Sequence, residues 1–435
     1  MRRLAWVLLF VAAASGQTRD QSRAIFDEVD RTLAELAKIS GLTLHKKVPC
    51  DLISKDKVNE FLKKKVKEVS TPEELRAEEL TLKKFGLVPP EFDLEKSTVE
   101  VLTEQAAAFY DYHAKKLYIT DWTASDTREA ALAHELAHAL ADQNFNLDRF
   151  IKKAKESDDE ALARMAVMEG QATWLMSEFL AQRLGETLVH NPDLAKRMNR
   201  GSDSSAGGEF PVFEGSPLYI RTTLIFPYSA GMMFQQAAVD KEGKEAFAVV
   251  FRRPPISTQQ ILHPDKYFAG VKPALPDLPK PADTRGYKGL IGGTFGELDH
   301  QVLLEQFAGK ATAENLAPHW RGGQYELMEN RKKKRVILLY ASQWDTARAA
   351  RLYFLAYRKA LAGKWKKMEV TSETADTLKG HGDDGDFLLK LDGAVVTSME
   401  GLEPEMQASA TRSDPAGVKT SASTPAESRA ALSRW

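Results

Sequence analysis

Residues 130–143 read AALAHELAHALADQ, an Ala- and Leu-rich run of high helix propensity with Ser125 or Asp126 ahead of it as N-cap. The helix carries two histidines four residues apart, His134 and His138, with Glu135 between them. At 3.6 residues per turn the two histidines lie about 40° apart around the axis and one turn apart along it. Both imidazoles therefore converge on one point, as a single metal ion requires. Glu135 projects roughly 80° from the mean direction of the pair, too far round for an easy third ligand. It is placed instead to contact a water at the metal, where a general base belongs. Zinc lowers the pKa of a water it binds to about 7, which brings that proton within reach of a carboxylate.

A catalytic zinc usually takes three protein ligands and keeps one position open, so a further His, Asp or Glu is needed downstream. A second long helix, over about 158–184, offers two. Glu160 stands in the charged start ESDDE, where a solvated helix N-terminus accounts for it. Glu169 stands among Met165, Ala166, Ala172 and Thr173, on a face that packs, and a carboxylate there is costly unless paired or bound to metal. The environment favours Glu169, and Gly170 and Ala172 would let this helix approach the first one closely. Asp142, one turn beyond His138, is either a partner for the second ring N–H of a ligand histidine or a plain exposed carboxylate near a helix end.

The blocks AAFYDYHAKKLYIT, AALAHELAHALADQNFNL, ARMAVMEGQAT, FPYSAGMMF and PPISTQQILHPDKYF together resemble a group of exported prokaryotic HExxH proteins of the gluzincin type of zinc metallopeptidase. The resemblance covers roughly residues 100–270, with a weaker echo in HWRGGQYEL at 319–327. It implies zinc held by His134, His138 and Glu169, Glu135 as catalytic base, and a zincin-like, mainly helical domain with a small β-hairpin. One departure is visible: this helix continues ADQNFNL where the group often has a histidine after DQ, a position that is not a ligand. A peptidase also needs a donor for the tetrahedral oxyanion. Tyr228 and His263, in short irregular segments of the resembling region, are the residues to inspect, each with the plain alternative of a buried side chain capping a loop. His263 is alternatively placed to orient Glu169 or a loop.

The rest of the chain sets the frame. Arg2 and Arg3 precede an apolar run from Leu4 to Ala14, followed by small residues, the layout of a secretory signal peptide over 1–16. The run is well short of the ~20 residues of a membrane-spanning helix, and no later stretch is long enough either. A secreted or periplasmic location follows, with no stable membrane span after signal removal. Cys50 is the only cysteine, so there is no intramolecular disulfide, and its placement in VPCDL raises the idea of an inhibitory thiolate on zinc. Sixty Lys and Arg nearly cancel 61 Asp and Glu, and the run at 331–335 reads as a solvated hairpin turn. A nucleic-acid partner is therefore excluded, and a peptide or protein substrate is expected.

Helical spacing at 23–40 and 54–69, then TPEEL with Thr71 as N-cap, give a helical N-terminal region at 17–95. A hairpin at 107–120 and the helices named above form the metallopeptidase domain at 96–285, with a loop at 200–217 and a further helix around 229–247. A small α+β domain follows at 286–405: the helix GELDHQVLLEQF, the hairpin around 331–335, the helix DTARAARLYFLAYRKALA and a hairpin around Asp392-Gly393. Residues 406–435 read as a disordered tail. The fold class is thus α+β throughout. The function expected is hydrolysis of peptide bonds in an exported zinc metallopeptidase. A zinc-stabilised scaffold or peptide-binding protein without turnover is the alternative.

Overall fold

The periodic run RAIFDEVDRTLAELAKIS becomes helix α1 (Arg19–Ser40), with Val29, Leu33 and Leu36 buried along one stripe. In this computed structural model residues 19–54, 57–58, 60–61, 71–104, 108–120, 125–154, 157–204 and 210–408 are described. The expected signal peptide, most of the helix expected at 54–69 and the tail beyond 408 lie outside the described residues. Thr71 caps α2 (Pro72–Phe85) as the sequence predicts: its hydroxyl accepts the Glu74 N–H, and the Glu74 carboxylate accepts the Thr71 N–H at 2.9 Å. Helix α3 (Leu94–Glu104) follows.

Strands β2 (Ala108–Asp111) and β3 (Lys116–Thr120) form the expected antiparallel hairpin, turned at Lys115 with a φ of 56°. A strand the sequence reading did not identify, β1 (Cys50–Ile53), joins β3 in parallel, Cys50 opposite Leu117. The sheet order β1-β3-β2 leaves β2 at an edge. Four residues are too few to display a period-two pattern, and a parallel partner 60-odd residues away leaves no local turn signal.

Helices α4 (Ser125–Phe145), α5 (Leu147–Lys152) and α6 (Asp158–Arg183) come next, then α7 (Pro192–Ser204), α8 (Pro211–Glu214) and α9 (Leu218–Glu242). This corrects two expectations. The segment 200–217 is not a loop throughout, because α7 runs to Ser204 and Pro211 opens α8 as its first residue. The helix expected around 229–247 starts at Leu218 and passes through Pro227. A mid-helix proline sacrifices a hydrogen bond at about 3 kcal/mol, but Ile220, Leu224, Phe226, Met232 and Phe234 are all buried along the same helix and their packing outweighs it. Short helices α10 (Ala246–Arg252), α11 (Thr258–Leu262) and α12 (Pro264–Phe268) complete this part.

Beyond it lies a seven-stranded sheet, antiparallel at every pairing, in the order β4-β5-β6-β10-β9-β8-β7. Its strands are β4 (Lys288–Thr294), β5 (Trp320–Asn330), β6 (Arg335–Trp344), β7 (Glu369–Glu373), β8 (Thr377–Gly382), β9 (Gly385–Asp392) and β10 (Val395–Leu402). Helices α13 (Glu297–Ala308), α14 (Lys310–Leu316) and α15 (Ala347–Lys364) are interleaved, and α16 (Pro404–Ala408) ends the described chain. Alternation along β6 is clean: Leu338 and Tyr340 face the helices, Ile337 and Leu339 a smaller cluster with Leu388 and Met399 on the other side.

Besides that smaller cluster, two large hydrophobic cores form among the described residues, and they do not follow chain order. The first gathers α1, α4, α6, α9 and the three-stranded sheet, and the second gathers α2 and α3 with the seven-stranded sheet and its helices. In the first, α6 and α9 run side by side in the same direction, Trp174 Nε1 donating to Gln236 Oε1 at 2.8 Å and Gly170 lying against Gly231. A Cβ at Gly170 would sit 2.1 Å from the Gly231 carbonyl carbon, and one at Gly231 would sit 2.2 Å from the Ala166 oxygen. Gly170 therefore admits α9, not the histidine-bearing α4 as the sequence suggests. Gly170→Ala is expected to lower stability by at least the ~1–3 kcal/mol of ordinary over-packing, because backbone and not a side chain must yield. Urea unfolding followed by circular dichroism checks this, and an unchanged midpoint would contradict the contact.

Candidate metal centre

His134 and His138 project from the middle of α4, where every residue from Ala131 to Ala141 is buried. Facing them, Glu169 projects from α6. The three side chains meet tip to tip: His134 Nε2 and His138 Nε2 are 3.1 Å apart, and Glu169 Oε2 lies 3.2 Å from each. The two imidazole rings are nearly perpendicular, at 80°. Among the described residues this is the one group of three His, Cys, Asp or Glu side chains able to hold a metal ion. Glu160, the other carboxylate considered, instead pairs with Arg164 one turn on, at 2.6 Å.

Charge is concentrated here with little water to screen it. Burial works against a charged His138, but the carboxylates of Glu169, Glu135 and Asp142 outweigh it and raise the ring to about 9. Burial likewise opposes ionisation of Glu169, and the two imidazoles overcome it, holding that carboxyl far below the usual range. His134 is held down chiefly by burial. Glu135 is pushed up to about 8, by burial first and then by Glu169, against the pull of His138 and a backbone N–H. A cation at the centre of the triangle would draw all of these downward.

The hairpin holds Glu135. Its Oε2 accepts the backbone N–H of Tyr110 in β2 at 2.8 Å, so the carboxylate is held at the sheet edge beside the ligands. The same tyrosine reaches on with its hydroxyl to Asp142 Oδ2, 2.9 Å away. Asp142 is thus buried, contrary to the exposed alternative, and its partners are not the ligand histidines. It accepts from Tyr110, from Lys115 Nζ at 2.7 and 2.8 Å, and from the Leu147 N–H at 3.0 Å. Azimuth on the helix placed Asp142 below His138, but a lysine in the hairpin turn competes for the carboxylate with a full charge.

Of the two oxyanion candidates, the fold brings one to the site. Tyr228 lies on α9 with its ring stacked on His134, centroids 5.8 Å apart. Its hydroxyl is buried close to Glu169 without a hydrogen bond of ordinary geometry, and burial together with the Glu169 and Glu135 charges holds the phenol well above its usual range. His263 does not join it. Its Nε2 lies 2.6 Å from Glu297 Oε1, and Gln259 Nε2 donates to the other oxygen, so His263 ties α11 and α12 to α13 rather than orienting Glu169. Tyr112, not singled out from the sequence, is also close: burial raises its phenol, with Glu169 among the carboxylates that add to the effect. Tyr110 was likewise missed as an individual residue, although both tyrosines stand in the quoted run FYDYH.

Cys50 takes no part. It lies in β1, outside the metal-capable group, with its thiol pushed up to about 11 by burial first and then by Asp51. A thiolate switch on the metal has no support in this arrangement. His113 is exposed, with Nε2 3.7 Å from Asp148 Oδ1.

If the triangle is a metal site, the purified protein is expected to carry one equivalent of metal. His134→Ala, His138→Ala and Glu169→Gln should each reduce this to background, while Glu160→Gln leaves it unchanged. Elemental analysis after gel filtration checks the set. Chelation should also lower the melting temperature, since it leaves a buried carboxylate facing two imidazoles with no ion between them.

Residues 289–412 match a family described as "Domain of unknown function (DUF8575)", a stretch that takes in nearly all of the seven-stranded sheet and none of the residues of the metal triangle. No curated protein and no solved structure matches the chain. Among the described residues no helix is long and apolar enough to cross a membrane.

Proposed function

We propose that the chain is an exported zinc metallopeptidase of zincin-like fold, with zinc held by His134, His138 and Glu169 and Glu135 as general base. The observation that carries this reading is the near-equilateral triangle of ligand atoms, with sides of 3.1, 3.2 and 3.2 Å. Tetrahedral zinc with bonds of about 2.0–2.1 Å to nitrogen and oxygen separates its ligand atoms by about 3.3 Å. The side chains therefore fit zinc without rearrangement, and three protein ligands leave the fourth position for chemistry. Bound there, zinc supplies a Lewis acid for the substrate carbonyl and lowers the pKa of water to about 7.

The protein groups around the triangle divide the remaining work. Glu135 takes the proton of the attacking water and returns it to the leaving nitrogen, and the Tyr110 N–H fixes the carboxylate in the orientation this needs. The Tyr228 hydroxyl, buried and beside the ligands, is the donor available to the developing oxyanion. The substrate is a peptide or protein. Strand β2 is at a sheet edge, where an extended chain can add as a further strand, although the Tyr110 N–H on that side is already committed to Glu135. The near-neutral charge balance argues against a nucleic-acid substrate, and the short apolar leader supports an exported, secreted or periplasmic enzyme.

Cleavage of a peptide library by the purified protein tests the proposal. Glu135→Gln is expected to keep its zinc and lose about 10²–10⁴ in kcat, the usual worth of a general base. Chelator-resistant cleavage, or cleavage indifferent to Glu135, would sink the peptidase reading. Bound zinc with no cleavage would favour the scaffold alternative. Tyr228→Phe is expected to retain zinc and KM and to lower kcat by about 10²–10³, as loss of one oxyanion donor does. Steady-state kinetics on a library-derived peptide separates the two parameters.

A further inference from the structure

One helical turn from the metal triangle, a cavity of about 80 Å³ opens between α6, α9 and the start of the seven-stranded sheet. It begins at Met165 and Leu224, each four residues before a site residue, Glu169 on α6 and Tyr228 on α9. By the 1.5 Å rise per residue its near end is about 6 Å from that level, and Asp159 at its far end about 15 Å. The walls are apolar, formed by Leu82, Leu162, Met165, Leu224 and Phe295. Four carboxylates reach it as well, Glu78, Asp158, Asp159 and Asp299, and among the described residues no Lys, Arg or His lines it.

Three of these acids are built into place. Tyr325 donates to Asp158 Oδ2 at 3.2 Å, while Asp299 accepts from the Tyr219 hydroxyl at 3.0 Å and from the Gly296 N–H at 2.8 Å. Asp159 is 3% exposed, and its Oδ1 accepts both the N–H and the hydroxyl of Thr258. Its Oδ2 has no hydrogen-bond partner among the described residues. A Cβ on Gly296 would fall 2.0 Å from Asp159 Oδ1, so the glycine makes room for the carboxylate. The positive end of α6 accounts for acids in its first turn, but not for an unpartnered oxygen or for Asp299 and Glu78 opposite. Burial first, and then Asp299 and Glu297, raise Asp159 to about 7, a strain that a cation would relieve.

A metal ion does not suit the cavity, since its carboxylates do not bring three ligand atoms as close together as the metal triangle does. An organic cation does. By the measure on which one water needs about 10–15 Å³, the cavity takes a handful of heavy atoms, the size of one long side chain. An apolar wall leading to acids matches the aliphatic stem and charged head of Lys or Arg. We infer that this cavity is a subsite for a basic side chain, and that it selects Lys or Arg next to the bond cleaved at the metal triangle. The second half of that statement rests on the peptidase reading; the first does not.

Binding is tested apart from cleavage. N-acetyl-lysine amide, N-acetyl-arginine amide and the neutral N-acetyl-norleucine amide are titrated calorimetrically into the full chain, wild type and Asp159→Asn. A basic amide is expected to bind at least tenfold more tightly than the norleucine amide, and Asp159→Asn to remove that preference with the melting temperature held. Leu162→Lys, which supplies a tethered ammonium, should block binding even if Asp159→Asn fails to fold. Equal binding of basic and neutral amides, no binding of either, or a preference that survives both substitutions overturns the subsite. Library cleavage then separates the two ideas. Glu135-dependent cleavage without a basic preference rejects the subsite alone. Asp159-dependent binding of the basic amides without cleavage rejects the peptidase alone.

Discussion

The first core is pinned by a backbone contact. Helices α6 and α9 touch through Gly170 and Gly231 with no space for a methyl group on either. This contact fixes where along α6 the neighbouring Glu169 is presented, and how far α9 comes forward with Tyr228. A metal site tolerates ligand displacements of only about 0.2 Å. Two helices spaced by side chains could adjust by more than that through rotamer changes, whereas two backbones in contact cannot. The glycines thus convert a helix crossing into a fixed distance, and the ligand triangle inherits it.

The other half of the site depends on one tyrosine. Tyr110 gives its N–H to Glu135 and its hydroxyl to Asp142, two carboxylates on α4 seven residues apart and so about 10 Å along the axis. Lys115 at the other end of the hairpin also binds Asp142. The hairpin is therefore attached to α4 at two heights, and the Glu135 carboxyl cannot swing without breaking a buried hydrogen bond. His138 lies between those heights and His134 is the residue just before the first of them, so both adjoin the segment that the hairpin braces.

Much of this was legible in the sequence because the HELAH pentad is a local feature. Its spacing fixes the relative direction of His134, His138 and Glu135 once a helix is granted, and the Ala/Leu composition grants it. Glu169 was legible for a different reason: a carboxylate among Met, Ala and Thr needs a partner. What could not be read were the identities of tertiary neighbours. Asp142 was placed on the correct face and assigned the wrong partner, since no helical periodicity encodes a lysine from a hairpin turn. Gly170 was read as a close-approach residue and paired with the wrong helix for the same reason. In the second core β7, with all five residues exposed, has no hydrophobic alternation to detect, and the Gly-rich β4 has little more. Helix α9 was misjudged at Pro227, where packing overrides a propensity that local reading must respect.

The seven-stranded sheet, nearly all of which falls in the matched stretch and which holds none of the triangle, still bears on the site mechanically. Thr294 in β4 lies 3.2 Å from the Ser157 hydroxyl that caps α6, Tyr325 in β5 binds Asp158, and Asp299 at the start of α13 binds Tyr219 on α9. The N-terminal ends of α6 and α9 are therefore anchored to the sheet region by side chains. Helices transmit position along their axes with little give, since each residue is fixed by its hydrogen-bonded ladder. Anchoring two parallel helices at one end and pinning them by a backbone contact further along leaves no relative slide between Glu169 and Tyr228. The cavity lies between these two attachments. Its acids are therefore held by the same bonds that set the spacing of the metal triangle, and a group bound there would lie within the frame that aligns Glu169 with Tyr228.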